Sequence, residues 1–191
     1  HPAGLVERAF AAGQRSFGEN YVQEAVEKMD ALAGQGLEWH MIGPLQSNKT
    51  RLAAARFDWV QSVDNEKLAR RLSGQRPAGL APLNVLIQVN VSGQASKSGV
   101  APEQVAGLAN AITALPNLKL RGLMAIPEPA ADAARYRELQ GLYRKLKDEF
   151  QFDTLSVGMS DDLELAISEG ATMVRIGTAI FGAREKIRPA A

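Results

Sequence analysis

The chain has 191 residues, 46% of them hydrophobic, and its 22 Lys and Arg against 21 Asp and Glu give a net charge of +1. This balance offers no basic surplus for binding nucleic acid, and the absence of cysteine excludes disulfides and thiolate metal sites. With only two histidines and no apolar run of the roughly 18 residues that span a membrane, we expect a cytoplasmic protein without metal or membrane attachment.

Short apolar runs alternate with helical patterns from one end of the chain to the other. Strands are predicted at residues 16–19, 38–42, 59–63, 84–91, 118–126, 155–159 and 173–181. Helices are predicted at residues 5–12, 23–32, 48–55, 65–72, 102–115, 131–150 and 161–169. Strands that alternate with helices indicate a parallel sheet in an α/β protein.

The number of strands favours an incomplete TIM barrel. A (β/α)₈ barrel closes with eight strands and usually takes about 250 residues, whereas this sequence shows a helix before the first of seven predicted strands. The competing architecture, a doubly wound open sheet, would carry a GxGxxG motif after an early strand, and none follows here. We therefore predict one domain over residues 1–191, a barrel whose first strand is absent from this sequence.

The tail, residues 155–182, carries the clearest functional pattern. One predicted strand runs into Gly158, Met159 and Ser160, and the next runs into Gly177 and Thr178. Small residues at the carboxyl ends of neighbouring parallel strands leave main-chain N–H groups free to bind a phosphate. The last two strands of a TIM barrel build such a phosphate site. Ser160 could also be the N-cap of the helix that follows it, and the two roles are compatible.

Arg175 lies within the last predicted strand and needs a partner. Side chains alternate along a strand, so Met173, Arg175 and Gly177 share the face that points into the barrel. An unpaired charge is costly there. Its partner is either an acidic neighbour such as Glu19 or a ligand at the barrel mouth.

Two further polar residues lie in or after early strands. Asn20 follows the first predicted strand, where it can bind a ligand or form part of a turn. His40 stands in the middle of the second strand, where it is either a satisfied core residue or a ligand contact. Together with Glu19, it is the available acid/base pair for a sugar-phosphate enzyme.

Five segments resemble one known family in both content and order. They are FGENYVQE at 17–24, WHMIGPLQSNK at 39–49, VNVSGQASKSG at 89–99, RGLMAIP at 121–127, and the tail GMSDDLELAI with GATMVRIGTAIFG at 158–182. These segments closely resemble the YggS/PROSC family of pyridoxal 5′-phosphate (PLP) homeostasis proteins. The resemblance covers essentially the whole chain.

The resemblance implies a fold and a set of cofactor-binding residues. The fold would be a single (β/α)₈ barrel similar to the N-terminal domain of bacterial alanine racemase, with PLP at its mouth. The lysine that forms the Schiff base would lie just upstream of His1, outside this sequence, so no catalytic residue is assigned. The cofactor-binding residues would be Asn20, His40, Met159, Ser160, Arg175, Gly177 and Thr178.

The family's arginine, at Arg175 here, would face the pyridine nitrogen without protonating it, which makes the ring a weaker electron sink. The resemblance therefore implies a monomeric PLP carrier or regulator, with PLP-dependent apoenzymes as recipients, rather than an enzyme. Two enzymatic alternatives stay open. One is a fold-type III PLP-dependent racemase or decarboxylase, and the other is a phosphate-binding barrel enzyme acting on a sugar phosphate.

Overall fold

A six-stranded, all-parallel sheet forms the centre of the protein. The computed structural model describes residues 1–94, 97–128 and 132–182. The strands are β1 (Ser16–Glu19), β2 (Glu38–Met41), β3 (Trp59–Val63), β4 (Leu83–Gln88), β5 (Leu118–Met124) and β6 (Thr154–Ser156). They lie in the sheet in the order in which they occur in the chain. This arrangement confirms the predicted α/β class and gives a partial TIM barrel.

Helices precede the first strand, connect consecutive strands and follow the last one. They are α1 (Ala3–Ala11), α2 (Val22–Ala31), α3 (Thr50–Arg56), α4 (Glu66–Gln75), α5 (Val105–Thr113), α6 (Ala133–Phe150), α7 (Leu163–Ser168) and α8 (Thr178–Phe181), with a 3₁₀ turn at Pro102–Gln104. Within the described ranges, none of these helices is long and apolar enough to cross a membrane. The predicted helix start at residue 131 and the end of the predicted domain at 183–191 lie outside the described residues.

The two faces of the sheet bury different side chains. Alternate residues such as Met41, Val60 and Leu155 join the large apolar core under the helices. The opposite, inner face carries a small cluster of Trp59, Leu86 and Met124, against which Met173 packs. Polar side chains of β2, β3 and β6 are also buried on the inner face, and they form the network described below.

The last predicted strand is only partly present. Met173 forms a single parallel bridge with Ser156, and the Arg175 N–H donates to the Gly158 carbonyl at 2.9 Å. The strand prediction was wrong for its last four residues, because the chain turns at Gly177 into α8. The Gly177 carbonyl accepts from the N–H groups of Ile180 and Phe181 at 3.0 and 2.8 Å, so the apolar run that suggested a strand forms one helical turn.

Candidate functional site

The Arg175 side chain lies where β5 and β6 end. Its Nη1 donates to the Ser156 carbonyl at 3.0 Å and to Ser156 Oγ at 2.8 Å. Its Nη2 donates to the Ala125 carbonyl at 2.9 Å. Glu19, the acidic partner considered from the sequence, instead forms an ion pair with Lys28 of α2 at 2.6 Å. Arg175 is therefore held by neutral acceptors at the carboxyl end of the sheet.

The guanidinium of Arg175 keeps both its charge and some of its donors. Burial lowers its pKa to about 10, against the opposite influence of the Asp162 carboxylate, so the group is still protonated at neutral pH. A guanidinium has five N–H donors, and the bonds to Ser156 and Ala125 occupy three of them. The described part of the chain leaves the other donors available to a ligand.

Ser160, Gly177 and Thr178 lie together, as the phosphate-site prediction requires. Gly177 is the N-cap of α8 and Thr178 its first residue, and the Ala179 N–H donates to Ser160 Oγ at 3.4 Å. Ser160 is not the N-cap of the helix that follows it, because Asp162 occupies that position. The capping alternative for Ser160 was therefore wrong, and its hydroxyl faces the start of α8.

The turn after β6 requires a glycine. Gly158 has φ +99°, and a β-carbon there would lie 2.4 Å from the β-carbon of Ala166 on α7. Glycine alone combines this backbone conformation with so close a contact. The turn directs Met159, whose side chain is exposed, and Ser160 toward the carboxyl end of the sheet.

Asn20 lies at the same end of the sheet, after β1. Its carbonyl oxygen would be 2.3 Å from a β-carbon at Gly43, the second residue after the end of β2, so the two loop backbones are in tight contact. The Asn20 side chain forms no hydrogen bond within the described residues and is partly exposed. No direct hydrogen bond in that part of the chain links Asn20 to Arg175 or Ser160.

His40 is buried within the inner face and is only 3% exposed. Its ring stacks on Trp59 with the centroids 5.1 Å apart. Nδ1 lies 2.9 Å from Gln61 Nε2, and Nε2 lies 2.8 Å from Glu38 Oε1. Because an amide NH₂ can only donate, Nδ1 accepts and Nε2–H donates to Glu38. Burial lowers the pKa of His40, and the hydrogen bond to Glu38 opposes that shift; the ring is neutral at physiological pH.

The geometry does not bring His40 and Glu19 together as an acid/base pair. Both ring nitrogens of His40 are occupied by neighbours within the sheet, and the Glu19 carboxylate turns outward to Lys28 on α2. Proton transfer requires an acid or base within hydrogen-bond reach of the reacting group. This arrangement gives no support to the sugar-phosphate alternative.

Two polar residues that the sequence reasoning missed connect His40 to Arg175. Gln61 Oε1 accepts from Ser156 Oγ at 2.7 Å, and Ser156 Oγ in turn accepts from Arg175. Gln61 Nε2 also lies 3.2 Å from the sulfur of Met173. Both residues are fully buried. A polar residue at an inward position of a buried strand is the signal that could have identified them.

Sequence comparison places the chain among proteins of one kind. The family described as alanine racemase, N-terminal domain, matches residues 1–185. A protein of Pseudomonas aeruginosa named pyridoxal phosphate homeostasis protein is 62% identical over 191 residues, covering 99% of this chain and 83% of the relative. A protein of the same name from Escherichia coli is 54% identical over 192 residues, covering 96% of this chain and 82% of the relative.

Solved structures show the same fold. PipY of Synechococcus elongatus without PLP superposes with a TM-score of 0.88 at 38% identity, covering 95% of this chain and 88% of PipY. PipY with PLP bound gives a TM-score of 0.86 at 37% identity. Alanine racemase of Corynebacterium glutamicum, at 20% identity and a TM-score of 0.66, covers 90% of this chain and 48% of the racemase, and shares the fold. The chain therefore belongs to the family of pyridoxal phosphate homeostasis proteins, built on the alanine racemase N-terminal domain fold.

Proposed function

We propose that this chain binds PLP at the carboxyl end of its sheet and acts in PLP homeostasis as a carrier or regulator of the cofactor rather than as an enzyme. The observation that carries the proposal is the placement of Arg175. A protonated guanidinium is fixed at the ends of β5 and β6, next to the turn that brings Ser160 to the start of α8. The names of its relatives and the PLP-bound structure of PipY support the same ligand.

The residues present fit the two polar ends of PLP. The phosphate needs hydroxyl and main-chain N–H donors, which Ser160 and the Gly177–Thr178 turn would supply. The pyridine nitrogen is a hydrogen-bond acceptor, and Arg175 retains N–H donors that could meet it. Thr178 and Met159 are exposed, so this end of the site is open to solvent.

The chemistry of Arg175 supports a role without turnover. PLP supplies an electron sink when it is bound, and that sink is strongest when the ring nitrogen is protonated. Arg175 has a pKa of about 10, so it donates a hydrogen bond but does not readily give up its proton at neutral pH. A site that keeps the ring nitrogen unprotonated favours storage of the cofactor over carbanion chemistry.

The other predicted contacts have different positions in the structure. Asn20 and Met159 lie on loops at the carboxyl end of the sheet, and we propose that both line the site. His40 lies deeper, with both nitrogens bonded within the sheet, and its direct contact with PLP stays a prediction. We further propose that residues 1–191 are a single domain of a cytoplasmic, monomeric protein that passes PLP to dependent apoenzymes.

The test is a titration of the purified protein with PLP, followed by the absorption of the bound cofactor and by equilibrium dialysis. Removing one donor to a charged ligand should weaken binding about tenfold. We therefore expect this loss for Ser160→Ala and a larger one for Arg175→Met. Ser168→Ala is the matched control, because Ser168 is exposed on α7 and, among the described residues, its hydroxyl bonds only the Leu165 carbonyl of its own helix.

Two results would contradict the proposal. Undetectable binding of PLP by the unaltered protein would refute the cofactor assignment. Rapid racemisation or decarboxylation of amino acids by the PLP-loaded protein would refute the carrier role and favour the racemase or decarboxylase alternative.

A further inference from the structure

We propose that Gln61 and Ser156 are positioning residues that hold the Arg175 guanidinium, and that His40 and Glu38 fix the direction of the hydrogen bonds in this chain of side chains. The inference rests on the proposed function, because it describes how the arginine that would face PLP is kept in place. It assigns a role to four buried or half-buried polar groups on β2, β3 and β6.

Ser156 is the direct support of Arg175. Its carbonyl and its hydroxyl both accept from Nη1, at 3.0 and 2.8 Å, and its side chain is fully buried. A hydrogen bond from a charged donor to a buried hydroxyl is stronger than one between two neutral groups. The hydroxyl can accept from Arg175 while its own hydrogen is directed to a second acceptor.

Gln61 is that acceptor. Its Oε1 takes the Ser156 hydroxyl hydrogen at 2.7 Å, while its Nε2 donates to His40 Nδ1 at 2.9 Å. The amide can therefore lie in only one of its two flipped orientations. With the amide reversed, an NH₂ would face the Ser156 hydroxyl and an oxygen would face the lone pair of His40.

His40 and Glu38 determine which orientation of the amide is stable. The Glu38 carboxylate accepts from His40 Nε2 at 2.8 Å and from Ser16 Oγ at 2.9 Å, so the hydrogen of the neutral ring is placed on Nε2. Asp58 is the other acidic group that acts on His40, and the Arg121 guanidinium lies on the Trp59 ring, which stacks against His40.

Protonation of His40 would reverse the direction of the hydrogen bonds that join His40, Gln61 and Ser156. A hydrogen on Nδ1 can only donate, so Gln61 would have to turn its oxygen toward His40 and its NH₂ toward Ser156. The Ser156 hydroxyl would then accept from two donors, Gln61 and Arg175, and would lose the acceptor for its own hydrogen. Burial of a polar hydrogen without a partner costs free energy, so acid should loosen the hold on Arg175.

The test uses nuclear magnetic resonance of the protein without PLP, labelled with ¹⁵N at arginine and histidine. The sequence has two histidines, so the His40 signals are assigned by comparison with His1→Gln. Arg175 signals are assigned by comparison with Arg175→Lys. The unaltered protein should show His40 as the Nε2–H tautomer and slow exchange of the Arg175 N–H groups.

Two substitutions should change the surroundings of the Arg175 guanidinium, one at a residue that bonds it directly and one at the next residue along the hydrogen-bond network. Ser156→Ala removes the hydroxyl that accepts from Arg175, and Gln61→Leu removes the acceptor of the Ser156 hydroxyl hydrogen. Both should shift the Arg175 signals and speed their exchange, and each should weaken PLP binding about tenfold. Ser73→Ala, a buried serine on α4, is the control for loss of a buried hydroxyl.

The outcomes separate this inference from the proposed function. Unchanged Arg175 signals in both folded variants would overturn the positioning role, whatever the affinity for PLP. Shifted signals in a protein that does not bind PLP would support the hydrogen-bond chain and refute the cofactor assignment instead. Weaker PLP binding with unchanged Arg175 signals would mean that the variants act by another route, and would also overturn the inference.

Discussion

Tyr136 on α6 donates its hydroxyl hydrogen to the Asp162 carboxylate, and Asp162 Oδ1 accepts from the Met159 N–H at 2.5 Å. Burial, and then the Asp162 carboxylate, raise the pKa of Tyr136 well above its usual value, so the hydroxyl stays a donor. A helix distant in sequence thereby fixes the turn between β6 and α7. That turn carries Met159 and Ser160, both proposed to line the PLP site.

Replacing Tyr136 by Phe should loosen this turn. Loss of a hydrogen bond to a charged group should lower the free energy of unfolding by about 1.5–3 kcal/mol and weaken PLP binding several-fold, to about tenfold at most. Urea denaturation and PLP titration measure the two effects. Tyr143→Phe is the control on the same helix, because the Tyr143 hydroxyl makes only a long bond of 3.4 Å, to the Phe152 carbonyl, within the part of the chain that the structure describes. Equal effects of the two substitutions would contradict the prediction.

Replacing Gly43 by Ala should destabilise the protein. The added methyl would lie 2.3 Å from the Asn20 carbonyl oxygen, which is main chain and cannot turn away, and overpacking of this kind costs about 1–3 kcal/mol. Thermal unfolding measures the loss. In contrast, Gly141→Ala in the middle of α6, where no described atom beyond the adjoining turns of the helix lies within 4 Å of the new carbon, should stabilise the protein by up to about 1 kcal/mol. A stable Gly43→Ala variant would show that the two loops separate easily.

Stability should fall as the pH is lowered through the range of His40. Burial lowers the pKa of His40 below its ordinary value of 6.5, so near that pH the unfolded chain binds more protons than the folded chain does. The stability that the neutral ring contributes is therefore fully present above pH 6.5 and is lost as the pH falls through the lowered pKa. Urea denaturation midpoints at about pH 7.5 and pH 5.5 measure how much stability is lost between the two. This loss should be smaller in His40→Gln and unchanged in His1→Gln. An equal loss in all three proteins would assign the effect to other groups.

Glu38 and His40 should affect stability in different pH ranges. Burial acts to raise the pKa of Glu38, but the hydrogen bonds from His40 and Ser16 outweigh it and lower the pKa below its ordinary value of 4.5. The stability that Glu38 contributes is therefore present above that pH and is lost as the pH falls through the lowered pKa. The free energy of unfolding should therefore show a second decline at more acid pH, and this decline should be absent in Glu38→Gln.

Removing one partner of the ion pair between Glu19 and Lys28 should destabilise the protein more than removing both. Both side chains are largely buried, with 13% and 10% of their surface exposed. Lys28→Met alone leaves the Glu19 carboxylate without its partner and should cost about 3 kcal/mol. The double substitution Glu19→Leu with Lys28→Met should recover much of that loss. A double variant less stable than Lys28→Met would contradict this explanation.

Much of the fold could be predicted from the sequence because the period of the apolar residues is clear in each strand. The run at residues 173–181 was misassigned in its second half, since Ala179, Ile180 and Phe181 are as typical of a strand as of one helical turn. The proximity of Ser160 to Gly177 was predictable from strand ends and family motifs. The link from His40 through Gln61 to Ser156 was not, because it depends on the register of β2 with β3 and on a strand far away in the chain.

The anchoring of Arg175 has a consequence for how this site tolerates mutation. Two of its three acceptors among the described residues are main-chain carbonyls, those of Ser156 and Ala125. A carbonyl oxygen is common to all amino acids, so substitution at Ala125 changes the side chain and leaves the acceptor in place. Genetic screens of the pocket should therefore recover lesions at Arg175 itself far more often than at Ala125, whose side chain takes no part in holding it.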